Sequence, residues 1–213
     1  PHDSNIISEV EKITDPSQVN FTGGSGKLHL LGEDEDKRYL DAILSLMLSP
    51  EEVAKHNDFK IVFTPLHGTG ITMVPKALKR LGFINLITVP EQSVPDGNFP
   101  TVKSPNPEES SALKMALDIA AASNADLVMA TDPDADRLGI AIRDDKGEMV
   151  LLNGNQTAAL LTYYILSRRK ELGLLNEKCY MVKTIVTTDL LKSIASAFGV
   201  EMFEVLTGFK YIA

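Results

Sequence analysis

Three aspartates alternate with other residues in the run Asp132-Pro133-Asp134-Ala135-Asp136-Arg137. Apolar, strand-like segments stand on both sides of this run, at residues 126–130 and 138–142. Carboxylates crowded into so short a span repel one another, so a fold that keeps them together needs a counter-cation. The alternative, a solvated acidic turn, is disfavoured by the apolar flanks. The sequence therefore predicts a metal-binding loop between two buried strands.

This loop must curl if its carboxylates are to share one ion. Alternate residues on a straight strand lie about 6.6 Å apart, which is too far for a single small cation to contact both. Pro133 would stiffen the curl, because its ring fixes one backbone dihedral angle. We therefore expect the run to leave the strand geometry directly after residue 130.

The ligand types indicate which metal the loop binds. An EF-hand needs glycine and glutamate where Arg137 and Arg143 stand, so calcium of that type is excluded. Three aspartates suit magnesium, whose other positions go to water and a phosphate oxygen. Arg137 adds a planar group that can bind phosphate bidentately, and the combination is typical of phosphoryl transfer. A haloacid-dehalogenase phosphatase with Asp132 as nucleophile matches only in part, because its motif departs at Asp136.

Strand-like and helix-like segments alternate along the chain, which predicts an α/β fold in both halves. Single domains most often have about 100 to 150 residues, so 213 residues predict two cores or parts of cores. The expected strands are residues 60–64, 86–89, 126–130, 138–142, a segment ending at 152, 180–184 and 201–205. The expected helices are 36–48, a short one after residue 50, one ending near 82, 108–122, 156–172 and 189–198.

Two local signals refine this pattern. Ser49-Pro50-Glu51-Glu52 matches a capping box with proline at the first helical position. The proline-rich segment 90–107 is expected to be a long extended loop, and a loop of that length in a compact domain is usually functional.

Two glycine-rich stretches are similar to phosphate-binding loops, but neither completes the pattern. In Gly23-Gly24-Ser25-Gly26-Lys27 the lysine is followed by Leu28, where a P-loop needs serine or threonine. In His67-Gly68-Thr69-Gly70 the third glycine of a dinucleotide motif would fall at Met73. The second stretch predicts only a helix N-terminus that favours anions, and His67 either braces the loop or contacts a ligand.

Charge and composition limit the partners. The chain carries 21 lysines and arginines against 29 aspartates and glutamates, a formal net charge of −8. It would repel a polyphosphate backbone, so we expect no nucleic acid partner. The single cysteine, Cys179, cannot form an internal disulfide, and no apolar run reaches the roughly 20 residues of a membrane helix. We expect a soluble cytoplasmic protein without a membrane partner.

The order of the motifs resembles the α-D-phosphohexomutases, the phosphoglucomutase and phosphomannomutase family. The matching stretches are Thr-Pro-Leu-His-Gly-Thr-Gly at 64–70, Ser-Pro-Asn-Pro-Glu at 104–108 and the aspartate run at 132–137. The match extends to Lys183-Thr184, Thr207-Gly208-Phe209-Lys210 and the opening Pro1-His2-Asp3. This resemblance implies two consecutive α/β phosphohexomutase-type domains, with mixed sheets flanked by helices, of which the second is truncated.

The resemblance also implies an activity. Such an enzyme is an isomerase of carbohydrate metabolism that moves a phosphoryl group between the 1- and 6-positions of a hexose. It works through a phosphoserine and needs magnesium and an activator of the glucose 1,6-bisphosphate type. Arg137 would be catalytic, stabilising charge on the transferred group. The implied magnesium ligands are Asp132, Asp134 and Asp136, and the implied contacts to the hexose phosphate are Lys183, Thr207 and Gly208.

Three motifs of the family are missing: the serine motif Thr-Ala-Ser-His-Asn-Pro, the sugar loop of Gly-Glu-Glu-Ser-Gly type and the Arg-x-Ser-Gly-Thr phosphate clamp. Family order places the first shortly before Pro1 and the second shortly after Ala213. We therefore expect a fragment that is inactive alone and that works with the missing domains of its parent chain. Without the sugar loop, the sequence does not discriminate among glucose, mannose, pentose and aminosugar phosphates.

The expected division of this fragment follows from the same order of motifs. Residues 1–36 would form the tail of the catalytic-serine domain and a linker, 37–152 the metal-binding α/β domain, and 153–213 an incomplete sugar-binding α/β domain. A non-catalytic module that binds magnesium and a phosphosugar is one alternative. The phosphatase with Asp132 as nucleophile is the other.

Overall fold

The structure of the chain is a computed structural model that describes residues 2–22 and 29–212. The chain divides into two compact units, residues 1–36 and residues 37–213. The glycine-rich stretch at 23–27 lies outside the described residues. Within the two described ranges, no helix has the length and apolar character needed to cross a bilayer.

The first unit contains a helix that the sequence pattern did not predict, α1 at His2–Val10. A 3₁₀ turn follows at Pro16–Gln18, and Asp15 caps it by accepting a hydrogen bond from the backbone N–H of Ser17 over 2.8 Å. None of the α1 side chains is buried, and its apolar residues Ile6, Ile7 and Val10 are exposed.

The second unit is built on a five-stranded mixed sheet with the strand order β2-β1-β3-β4-β5. The strands are β1 Lys60–Thr64, β2 Asn85–Thr88, β3 Leu127–Thr131, β4 Leu138–Arg143 and β5 Met149–Leu152. β1 is parallel to β2 and β3, because a helix connects each successive pair, whereas the short loops after β3 and β4 make those pairs antiparallel. The carboxyl ends of β1 and β3 therefore meet at one edge of the sheet.

Helices flank this sheet, and one of them supplies much of its core. The helices of this region are α2 Glu33–Ser45, α3 Pro50–Lys55, α4 Gly70–Leu81 and α5 Ser110–Ser123. α5 buries side chains at helical spacing against β1, β3 and β4, namely Ala112, Leu113, Ala116 and Ala120. It ends at Asn124, whose left-handed backbone (φ 51°) stops the helix, and α4 ends in the same way at Gly82.

Residues 153–212 form a smaller α/β layer. Its elements are α6 Gly154–Glu171, β6 Tyr180–Thr184, α7 Leu190–Ala197 and β7 Glu201–Val205. β6 and β7 are parallel, and both helices pack on the face of the two strands that carries Met181 and Met202. The predicted α/β class, with a mixed sheet flanked by helices, is confirmed.

A contact between α6 and the start of α3 overturns one local prediction. Ser49 precedes α3, but its side chain makes no capping hydrogen bond. Its hydroxyl instead accepts a hydrogen bond from Tyr164 over 3.0 Å, and the neighbouring Arg168 donates to the carboxylate of Glu51 over 2.6 Å. The predicted capping box is therefore wrong, because a residue 115 positions away occupies the capping oxygen.

Candidate metal and phosphate site

The aspartate run forms the loop between β3 and β4, at the carboxyl end of β3. The residues predicted to bind the metal are Asp132, Asp134 and Asp136. Each offers one carboxylate oxygen to a cluster in which these atoms lie within 4.8 Å of one another. Asp132 is buried, and the other two are exposed, so the cluster opens to solvent on one side.

The aspartate loop curls, as it must if its three carboxylates are to face one ion. Ala135 has a left-handed backbone with φ 62°, which is uncommon for a residue with a side chain. Its N–H donates to the carbonyl of Asp132 over 3.0 Å and closes a tight turn around Pro133 and Asp134. This turn reverses the chain within the run, so residues that would lie apart on a strand face the same space.

Arg137 closes the loop by holding Asp132 at both carboxylate oxygens. Its backbone N–H donates to Oδ1 over 3.0 Å, and its Nε donates to Oδ2 over 2.9 Å. Burial raises the pKa of Asp132, but the hydrogen bonds from the Arg137 backbone and guanidinium outweigh burial and hold this pKa below its usual range. Asp132 therefore stays ionised.

The electrostatics of Asp136 favour a cation in this cluster. The hydrogen-bonding contact with Asp132, followed by the charges of Asp132 and Asp134, raises the pKa of Asp136. A divalent cation among the three groups would remove this repulsion. The donors are carboxylate oxygens throughout, which suit magnesium better than softer metals. The residues present thus fit a magnesium ion.

The His67-Gly68-Thr69-Gly70 loop lies against the aspartate loop. Thr69 donates to the carbonyl oxygen of Pro133 from its backbone N–H over 2.8 Å and from its hydroxyl over 3.1 Å. Both glycines stand where β3 and its loop come close: a Cβ on Gly68 would overlap the backbone of Pro133, and one on Gly70 would overlap the Thr131 hydroxyl. From the sequence, these glycines are predicted only to begin a helix whose N-terminus favours anions.

His67 braces this loop. Its Nδ1 lies 3.1 Å from the carbonyl oxygen of Val94, which can only accept, so Nδ1 carries the proton. Nε2 lies 2.8 Å from the Thr101 hydroxyl, and Gln92 donates to that same hydroxyl over 3.0 Å. Both ring nitrogens are engaged and the side chain is buried, which favours the bracing role over ligand contact.

The Ser-Pro-Asn-Pro-Glu segment reaches the same site from the long loop. Arg137 Nη1 points at Oδ1 of Asn106 over 3.5 Å, and that oxygen also accepts from the N–H of Glu108 over 3.1 Å. Gly139 on β4 leaves room for the segment, since a Cβ there would stand 2.8 Å from the carbonyl carbon of Pro107. Sequence reasoning gave Asn106 no role, although its segment was among the motifs.

The residues predicted to contact substrate lie in the smaller layer. Lys183 on β6 is buried, and its ammonium contacts the carboxylate of Glu204 on β7 at 2.6 Å and that of Asp189 at 3.1 Å. The bond to Glu204 is the main cause that raises the pKa of Lys183, and burial opposes it. Thr207 and Gly208 follow β7, where Thr207 is exposed and Gly208 has φ 132°.

Two family models match the chain. Residues 37–147 match phosphoglucomutase/phosphomannomutase, alpha/beta/alpha domain II, and residues 153–213 match domain III of the same description. The chain is also 46% identical over 211 residues to the phosphoglucomutase of Staphylococcus aureus strain MRSA252. That match covers 99% of this chain and 37% of the relative, so the chain spans little more than a third of the relative's length.

Solved structures of low sequence identity share the fold. A phosphoglucomutase/phosphomannomutase family protein from Burkholderia thailandensis has a TM-score of 0.62 at 20% identity, over 83% of this chain and 34% of that one. Aspergillus fumigatus N-acetylphosphoglucosamine mutase, in complex with GlcNAc-6P and magnesium, has a TM-score of 0.51 at 16% identity. That match covers 88% of this chain and 35% of the other.

Proposed function

Because the chain belongs to the phosphoglucomutase/phosphomannomutase family, we propose that it is the central part of a magnesium-dependent phosphohexomutase. The whole enzyme would interconvert hexose 1-phosphate and hexose 6-phosphate through a phosphoserine that lies outside these residues. The observation that carries the proposal is the convergence of three carboxylates at the carboxyl end of β3, inside the region that matches domain II.

We propose the same division of the chain that the motif order suggested. Residues 1–36 would end the catalytic-serine domain and link it onward, 37–152 would form the metal-binding domain, and 153–213 would begin the sugar-binding domain. The family matches at 37–147 and 153–213 and the unit boundary after residue 36 support this division. The partners would be a hexose phosphate, the other domains of the parent chain and an activator of the glucose 1,6-bisphosphate type.

Asp132, Asp134 and Asp136 would hold the magnesium ion. When bound, the ion would neutralise charge on the phosphoryl group during its transfer. The raised pKa of Asp136, caused first by its hydrogen-bonding contact with Asp132, supports a cation at this place. The magnesium complex of the Aspergillus relative gives further support.

Arg137 would stabilise negative charge on the transferred phosphoryl group. Its Nε is committed to Asp132, and Nη1 has a long contact to Asn106, whereas Nη2 makes no hydrogen bond to any residue that the structure describes. The side chain is 54% exposed, so this nitrogen is open to an incoming anion. Asp132 would thus orient the Arg137 guanidinium, and the outer edge of the guanidinium would bind phosphate.

The residues at the carboxyl ends of β6 and β7 would contact the sugar phosphate. Parallel strands place their carboxyl ends at one edge of a sheet, where ligands of α/β proteins commonly bind. Thr207 and Gly208 follow β7 there and would face the sugar directly. Lys183, the third residue that the resemblance implies, would contact substrate beside this edge, where Glu204, Asp189 and the Thr187 carbonyl hold its ammonium. We place the enzyme in the cytoplasm, in carbohydrate metabolism.

A phosphatase that uses Asp132 as nucleophile is the first alternative. Such an enzyme would carry a transient phosphoryl group on the Asp132 carboxylate. Labelling with beryllofluoride, followed by peptide mass analysis, would locate an aspartyl adduct at Asp132 if that alternative held. The other alternative, a binding module without chemistry, predicts that the full-length protein turns over no hexose phosphate.

A coupled assay on the full-length protein tests the proposal. With magnesium and a bisphosphorylated sugar present, the protein should convert glucose 1-phosphate or mannose 1-phosphate to the 6-phosphate. Asp134→Asn should abolish this activity, and Asp145→Asn, the same change at an exposed turn residue of the metal-binding domain, should not. Absence of turnover with either hexose phosphate would overturn the proposed function.

A further inference from the structure

The Pro133 carbonyl is the one backbone group of the aspartate loop that another segment holds by two described hydrogen bonds. Thr69 supplies both, from its N–H over 2.8 Å and its hydroxyl over 3.1 Å. These bonds fix the plane of the peptide that joins Pro133 to Asp134. Asp134 directly follows this peptide and makes no hydrogen bond to another described residue, so the peptide plane is one restraint on the direction in which its side chain leaves the backbone.

Gly68 makes the close approach possible. A Cβ at this position would stand 2.5 Å from the Pro133 carbonyl oxygen and 2.7 Å from its carbonyl carbon. These are backbone atoms, which cannot move aside as the end of a flexible side chain can. Gly68 is not among the residues with a positive φ, so the position requires glycine for space rather than for backbone freedom.

The loop that carries Gly68 and Thr69 is itself held firmly. Leu66 and His67 have left-handed backbones with φ 46° and 63°, a strained state that persists only where the surroundings enforce it. The N–H of His67 donates to the carbonyl of Gln92 over 2.9 Å, and the buried His67 ring is hydrogen-bonded on both sides. The loop is therefore a rigid support for the aspartate loop.

We propose that Gly68 and Thr69 are positioning residues of the metal site, which act by fixing the Pro133 carbonyl so that Asp134 converges with Asp132 and Asp136. This inference rests on the proposed function, because it assumes that the three carboxylates bind a divalent cation. It explains why the motif has glycine on both sides of Thr69 without completing a phosphate-binding pattern. Groups that orient metal ligands commonly change affinity by about 10- to 100-fold when they are altered.

The test measures divalent metal binding in the full-length protein, with Mn²⁺ as an electron paramagnetic resonance probe and Mg²⁺ as activator in the coupled assay. Gly68→Ala should raise the dissociation constant for Mn²⁺ by about 10- to 100-fold. Thr69→Val removes one of the two hydrogen bonds and should raise this dissociation constant by about threefold to tenfold. Thr69→Ser keeps the hydroxyl and should leave the dissociation constant unchanged. High Mg²⁺ should recover most of the kcat of Thr69→Val.

Two matched controls separate positioning from general damage. Gly97→Ala adds a methyl group in open space, and Thr72→Val makes the same change on an exposed side of α4. Both should bind Mn²⁺ as the unaltered protein does. If Gly68→Ala fails to fold, the difference in Mn²⁺ affinity between Thr69→Val and Thr69→Ser tests the positioning role.

The outcomes distinguish this inference from the proposed function. Should the unaltered protein bind no metal, or Asp134→Asn bind it unchanged, the metal site fails and the positioning role fails with it. Should Asp134→Asn lose the metal while Gly68→Ala and Thr69→Val keep full affinity, only the positioning role is overturned. Equal weakening in Thr69→Val and Thr69→Ser would also contradict it, because the serine keeps the hydroxyl.

Discussion

Arg137 holds both oxygens of Asp132, one by its backbone N–H at 3.0 Å and the other by its guanidinium Nε at 2.9 Å. A residue proposed to bind phosphate is thus oriented by a residue proposed to bind metal. The two functions share one closed loop, so the position of the guanidinium and the position of the metal are set together.

Replacing Arg137 by lysine should therefore cost activity although the charge is kept. The ammonium cannot reproduce the fork that contacts Asp132 and phosphate at once. We expect kcat of the full-length protein to fall by about 100-fold, with a smaller change in the Mg²⁺ concentration for half-activation. Steady-state kinetics at several magnesium concentrations would measure both. A fall in kcat of less than about threefold would contradict the role given to Arg137.

The ion pair between Glu204 and Lys183 should make stability depend on pH. The hydrogen bond from Lys183, followed by that from Lys192, lowers the pKa of Glu204 in the folded chain. A lowered carboxyl pKa stabilises the fold above the unfolded value, and this contribution disappears as pH falls through the folded value. Glu204→Gln should thus be less stable than the unaltered chain at pH 7, and the difference should shrink below about pH 4.

Urea unfolding at a series of pH values, followed by circular dichroism, would measure this difference. Glu201→Gln is the matched control, since Glu201 is exposed on the opposite face of the same strand. Its stability difference should stay near zero at every pH. If the stability difference between Glu204→Gln and the unaltered chain grew as the pH fell, the ion pair would not be lowering the pKa of Glu204.

Three strands have the predicted bounds, namely β1, β6 and β7. Each is a run of five residues with at least two β-branched or aromatic side chains, which favour strands. Helix ends were less accurate: α2 begins at Glu33 and ends at Ser45 instead of spanning 36–48. Its acidic run forms the first turn instead of preceding the helix, as negative charge at a helix N-terminus permits.

The site could be predicted only where its residues are neighbours in sequence. The three aspartates lie within five residues, so their repulsion and their need for a cation are visible in the chain itself. Thr69 and Pro133 are 64 residues apart, and Arg137 and Asn106 are 31 apart. The first of these contacts depends on β1 and β3 being adjacent and parallel, which local pattern does not reveal.

The core of the metal-binding domain depends strongly on α5. Leu113 is fully buried among side chains of the helix and the sheet, so Leu113→Ala would leave a cavity. We expect the free energy of unfolding to fall by about 2–5 kcal/mol, measured by urea denaturation. Leu46→Ala, at a position that is 75% exposed, should change it by less than about 0.5 kcal/mol. Similar losses for both variants would contradict the core assignment.

The 213-residue chain alone should have no mutase activity, even with magnesium and a bisphosphorylated sugar. Covalent transfer needs a nucleophile in line with the phosphoryl group, and no serine of this chain stands in the family's serine motif. The coupled assay for glucose 6-phosphate, run side by side on this chain and on the full-length protein, would show the contrast. Turnover by the chain at a comparable rate after repurification would mean that the nucleophile lies within it.

Anomalous diffraction from crystals of the chain grown with Mn²⁺ tests the metal site most directly. Mn²⁺ replaces Mg²⁺ at oxygen sites and can be located by its own scattering. We expect one peak in the loop between β3 and β4, within about 2.3 Å of a carboxylate oxygen from each of Asp132, Asp134 and Asp136. Crystals of Asp134→Asn should lack this peak. Manganese bound elsewhere on the chain, with no peak between these carboxylates, would show that the three aspartates do not form the metal site.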